Sequence, residues 1–404
     1  MDINLIRERY RERARKALNK PAKYGVDIDI SNFVGGGERV GEVDIEGVRE
    51  RVKKLGIDYR SKTIMTYIQV DNYIRKMYSK MKGVELYSLE EAFKERPDLI
   101  EKYFWGLIDV DEDKYTAAAE LYGEGGYIIV VDDDAHVNRP IQTCLLLSKN
   151  QVIQAPHNII IVGRNSSLNV TTGCTILKEV ASIHAGVTEI YLMDNAKLTY
   201  VMVHGWSQLQ HVRPRTAVYL GNGAEYIDYY ITFSPSKTLQ MNPVVYLDGD
   251  GATAYLSSII VARGMEDVDI GGTAYLNKRN TKAEILSRVI AKNGSRVISR
   301  SKIIGSAEGS SGHIECDGLL LSNDSEIVTI PELIAKHDNI RLTHEASIGR
   351  IAEEQILYLM SKGFNEDEAK EIVVRGFMKI DVPGLSQEMR KTIEQAIIVA
   401  SRGL

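Results

Sequence analysis

The stretch EIYLMDNAKLTYVMVHGWSQLQHVRPRTAVYLGNGAEYID, Glu189–Asp228, contains one pattern twice. A short apolar run (EIYLM, then AVYLG) meets a polar turn built on Asn, Asp or Gly. A small residue follows (Ala196, then Ala224), with an apolar residue two positions on. Runs of the same kind lie on both sides: YIIVV, TCLLL, NIIIV, VVYLD and GLLLS. Turns of the same kind are GRNSSLNV, GDGATAYL, KNGSRVIS and SNDSEIVT. Aligned on Ser166, Ala196, Ala224, Ala252, Ser295 and Ser325, they are separated by 30, 28, 28, 43 and 30 residues. These gaps lie close to multiples of about 14, and recurrence at a fixed period marks a solenoid. Each strand is then buried by its equivalent in the next coil. Asn, Asp and Gly supply the left-handed corner, and the small residue lets the next coil approach. The expected fold is mainly β: a parallel β-helix with an N-terminal α/β region and a C-terminal helical domain. The boundaries expected are 1–122, 123–343 and 344–404. Open solenoid ends template aggregation, so the flanking helical segments are expected to cap them.

The N-terminal Asn4–Leu18 reads as a solvated helix ended by Pro21. Val48–Leu55, Leu89–Phe93 and Asp98–Leu107 also read as helical. After Thr343 the spacing of Ile348, Ile351, Ala352, Gln355, Ile356 and Leu359 predicts a helix, with Gly363 at C′. Asn365 and Glu368 form a capping arrangement for the next helix. Ser386 caps a last one, carrying Met389, Ile393 and Ile397.

A formal charge of -5 gives no reason to expect nucleic acid as a partner. No apolar run approaches the roughly 20 residues that span a bilayer, and the charged N-terminus is no signal peptide. Cys144, Cys174 and Cys316 lack CxxC spacing, which argues against disulfides and structural zinc and favours a reducing cytoplasm. There is no GxxxxGK[ST] phosphate loop and no GxSxG elbow. His344-Glu345 is not the start of HExxH, because Ile348 holds the second histidine's place. Cys316 stands among His313, Glu315 and Asp317. A lone cysteine is more often a small buried hydrophobe, but these polar neighbours make access to a ligand plausible.

The strings ECDGLLLSNDSEI and THEASIGRIAEEQILYLMSKGFNEDEAKEIVVRGF resemble the C-terminal part of the SufB/SufD family of iron–sulfur cluster assembly proteins. TTGCTI, SIHAGVTEIYL and VHGW resemble its core segments, and the resemblance covers about Gly123 to the C-terminus. Cys316 with the His-Glu pair places the chain on the SufB side. The resemblance implies a right-handed parallel β-helix. It implies a cytoplasmic, non-catalytic scaffold that builds a transient iron–sulfur cluster and passes it to apo iron–sulfur proteins. The partner implied is a SufC-type ABC ATPase docked at about Ala346–Leu404, two motors serving a homodimer. It carries Cys316, His344 and Glu345 over as cluster ligands, Cys174 as the point of sulfur entry and Trp206 as lining the sulfur path. The family's Gln-x-Trp is His204-Gly205-Trp206 here. Two alternatives are a SufD-like structural partner without a cluster and a β-helix carbohydrate-active enzyme.

Overall fold

The computed structural model describes residues 3–33, 65–78, 81–380 and 387–401. The helix expected at Val48–Leu55 and the cap at Ser386 lie outside them. The chain winds into a parallel β-solenoid of about 8 turns. Two sheets, one of ten strands and one of thirteen, form its walls. Among the described residues, pairing of strands is antiparallel only near the N-terminal end, where Thr66–Val70 meets Tyr73–Tyr78 and Val84–Ser88 meets Tyr127–Val131. Beyond that every strand lies in parallel register on its predecessor. Lys197 faces Glu225, 28 residues on, and Asp267 faces Arg296, 29 residues on. A full coil is therefore about twice the 14-residue unit read in the sequence.

The gap of 43 has a structural cause: the aligned small residues belong to two corners. Ser166, Ala196, Ala224 and Ala252 stack along one corner through Lys197 N→Ser166 O, Glu225 N→Ala196 O and Thr253 N→Ala224 O. That ladder continues through Thr281 and Ser310, whereas Ser295 and Ser325 precede strands of the other sheet. The residue before each small one is left-handed: Asn165, Asn195, Gly223, Gly251, Asn280 and Gly309. Only Gly, and Asn at some cost, takes that conformation readily, which is why these two types recur there.

The lumen is packed with inward residues such as Leu198, Tyr226, Leu256, Ile285 and Ile314. The outer faces of the earlier coils are covered as well, which explains the continuous apolar runs there, whereas the later strands alternate buried and part-exposed residues. On the thirteen-stranded sheet, Ala14, Ile100, Tyr103 and Tyr115 of the N-terminal helices pack against Ile128, Ile159 and Val187. The carboxylate of Glu189, fully buried on that sheet, accepts from the backbone N–H groups of Trp105 and Leu107 at 2.8 and 2.6 Å and bonds His157 Nε2 at 2.8 Å. On the ten-stranded sheet, Met389, Ile393, Ala396 and Ile397 of the helix Gln387–Ser401 cover Val203, Tyr229 and Val261.

The helices thus clad the sides of the solenoid, and among the described residues none caps its C-terminal end. The last strands, Glu326–Ala335 and Arg341–Gly349, are largely exposed. Residues 344–349, expected in a helix, continue the second of these strands, and the helix Glu353–Ser361 begins only afterwards. The break between strand and helical periods is therefore displaced, and Ile348 belongs to the sheet. Gly363 at φ +100 and the Asn365/Glu368 capping box stand where the sequence predicts them.

Candidate functional site

Cys174 lies on the strand Ser167–Ile176 and points into the lumen, fully buried. Its register partner one coil on is His204. The His204 Nδ1 lies 2.7 Å from the Tyr230 hydroxyl. Trp206 and His184 close the group, with ring centroids 5.1 Å apart, and His204 lies 5.4 Å from Trp206. Burial pushes His184 down to about 3 and His204 well below its usual value, the latter also through His184, so both rings are neutral. Burial also pushes the Cys174 thiol up, so it rests protonated. Two polar atoms in this group, His204 Nε2 and Trp206 Nε1, are buried without a hydrogen-bond partner. Orphaned donors or acceptors of this kind are costly in a packed interior, and a small polar guest in the lumen would satisfy them.

From Tyr230 a column of register-matched positions runs along the ten-stranded sheet. Tyr230 faces Ser258, Ser258 faces Ser287, and Ser287 faces Cys316. Across the lumen, Ser299 Oγ lies 3.4 Å from Ser287 Oγ and 4.0 Å from Cys316 Sγ. A cavity lined by Asp228, Ser258, Ser299 and Ser301 opens beside the column. It holds about 10 Å³, on the order of one water molecule. Burial raises the Asp228 carboxyl to about 7, and the Tyr226 hydroxyl donates to it at 3.3 Å. Five strand spacings separate Cys174 from Cys316, roughly 24 Å. Small polar side chains connect the two thiols where an ordinary solenoid core would be aliphatic.

Cys316 is 1 % exposed. The polar neighbours that made it look accessible, His313, Glu315 and Asp317, point outward, because successive residues of a strand face opposite ways. The strand Arg341–Gly349 forms the next and last rung. There His344 stands opposite the inward Ile314, and Ala346 opposite Cys316. His344 therefore shares the lumen side with Cys316. Glu345 stands opposite Glu315, on the outer face. The structure brings the first two predicted ligands to one side and separates the third. Sequence reading missed Tyr230, Asp228, Ser258, Ser287 and Ser299, because only the register shows that they line up.

The region 145–377 matches the family model described as SUF system FeS cluster assembly, SufBD core domain, and 59–143 matches the SufBD protein N-terminal region. The chain belongs to the SufBD family of iron–sulfur cluster assembly proteins. A SufBD relative from Archaeoglobus fulgidus is 42% identical over 370 residues, covering 91% of this chain and 99% of its own length. One from Methanothermobacter thermautotrophicus strain Winter is 36% identical over 407 residues, covering 97% and 98%. One from Staphylococcus epidermidis is 30% identical over 345 residues, covering 83% and 74%. For this SufBD protein, no described helix is long and apolar enough to cross a membrane.

Proposed function

We propose that this chain is the SufB-type scaffold of its system, building a cluster from iron and sulfur and releasing it to apo-proteins. The observation that carries the reading is the polar column from Cys174 to Cys316, which stops one coil below an uncovered end. Sulfide entering beside Cys174 passes His204 and Trp206 and moves along the seryl positions to the Cys316 thiol, with no sulfur–sulfur bond formed and no change of oxidation state. The cluster is cargo. Cys316 and His344 hold it from the lumen side, and Glu345, on the outer face of the same rung, joins them when that rung opens. Ligation by so few groups fits a cluster that has to leave, since clusters kept for electron transfer commonly have four thiolates.

The exposed rung of Glu326–Ala335 and Arg341–Gly349 suits a second copy of the chain. It presents unpaired edge strands and the exposed apolar side chains Ile330, Ile334 and Ile348. A SufC-type ATPase docks on the two helices beyond it. Leu357 and Tyr358 are exposed there, beside an apolar groove between Glu353–Ser361 and Glu366–Phe377. Only three residues separate Gly349 from the first of these helices. Movement of the motor is thereby transmitted to the coil that covers Cys316. The ATPase supplies the hydrolysis, which agrees with the missing phosphate loop.

The test is anaerobic reconstitution of the full chain with its ATPase, iron and sulfide, read by visible absorption and by bound iron. Cys316→Ser is expected to lose the cluster while keeping the melting temperature. Unchanged iron and sulfide in that variant would sink the reading.

A further inference from the structure

Strand parity turns Glu345 away from Cys316 and gives it different company. Glu315 is its register partner on the preceding coil, and His313 lies two residues earlier on the same face. One ligand atom from each of His313, Glu315 and Glu345 lies within 4.8 Å of the others. His313 Nδ1 is 2.8 Å from Thr343 Oγ1, and His313 Nε2 is 3.8 Å from Glu345 Oε1. In the tautomer with its proton on Nδ1, the ring is oriented by Thr343 and Nε2 keeps its lone pair toward the carboxylates, as metal-bound histidines commonly do. Two carboxylates in direct register repel. Arg288 offsets part of this repulsion, bonding Glu315 and reaching Asp317 at 3.1 Å, and is itself shared between the two. Glu315, Asp317 and Glu345 against one guanidinium leave a local charge of about −2, which a divalent cation balances.

We propose that His313, Glu315 and Glu345 form a divalent-metal site on the outer face of the last two coils, separate from the Cys316 thiol. One nitrogen and two carboxylate donors suit a first-row divalent ion and leave coordination positions open. The choice of ferrous iron rests on the scaffold reading above; the site itself rests on its own geometry. Iron then waits on the outside of the same rung whose lumen side presents sulfur, so the two ingredients meet only when that rung opens.

The experiment titrates the full chain with Co²⁺, followed by its d–d absorption, and with Fe²⁺ alone under argon, followed by equilibrium dialysis. One ion per chain is expected in the wild type, without a thiolate charge-transfer band and with unchanged affinity in Cys316→Ser. His313→Ala and Glu345→Gln are expected to weaken binding at least tenfold at an unchanged melting temperature. Absence of binding, wild-type affinity in both of those variants, or loss of binding in Cys316→Ser overturns the site. Cluster reconstitution is read separately: a chain that binds Co²⁺ through His313 but builds no cluster keeps this site and loses the scaffold reading.

Discussion

Asp228 carries the clearest pH signature in the lumen. Burial raises its carboxyl to about 7 in the folded chain, against 3.8 for the ordinary group. Between those values the folded state binds more protons than the unfolded one, so stability falls as pH rises from about 4 to about 7 and levels off above. Glu266, also raised by burial to about 7, pulls in the same direction. Asp228→Asn is expected to stabilise the chain at pH 8, by an amount on the order of a few kcal/mol, and to change little near pH 4. Melting temperatures of both proteins across that range measure the difference; parallel curves would contradict it. The parity of Cys316 is carried by the alternation His313-Ile-Glu-Cys-Asp-Gly318, where each second residue is polar, although on the sequence alone those neighbours read as a sign of access. The separation of His344 from Glu345 was not legible, because the stretch after Thr343 also satisfies a helical period. Contact with the Ser311–Leu320 strand settles the choice in favour of the sheet.

The strands were legible from their apolar runs and the corners from Asn, Gly and the small residue. The switch between the two corner ladders was hidden, because Thr281 and Ser310 replace the alanines of the first. Parallel coils also leave little room at certain backbone contacts. A Cβ on Gly271 would sit 1.5 Å from the Arg300 carbonyl oxygen, whereas one on Gly349 meets nothing within 4 Å. Gly271→Ala is expected to cost about 2 kcal/mol or more, and Gly349→Ala close to nothing, both measured by urea unfolding. The C-terminal helices divide by role. Gln387–Ser401 is part of the packed body, so deleting everything after Gly363 would uncover the outer face of the sheet as well as remove the proposed docking surface. A cleaner probe is Tyr358→Glu, at a side chain 61 % exposed. It is expected to abolish co-purification of the ATPase at an unchanged melting temperature. Undiminished co-purification would remove that helix from the interface.

The whole chain is asymmetric about its long axis. Near its N-terminal end antiparallel partners and helices finish the structure, while the other end carries two uncovered strands. Ile330→Lys combined with Ile334→Lys places charge on the outer face of that end without touching the packed lumen. The pair is expected to raise the dissociation constant of the proposed dimer tenfold or more, read by light scattering on a dilution series. An unchanged dimer would move the interface elsewhere.

The position of Cys316 beneath a single rung has a further consequence. In a stack where every coil touches only its neighbours, the outermost one can fray while those beneath keep their pairing. Uncovering this sulfur therefore requires one layer to peel back, a local event far less demanding than unwinding the solenoid. A thiol two layers deeper, at the level of Ser258, would need a cooperative rupture of several coils, too large a step for repeated loading and discharge.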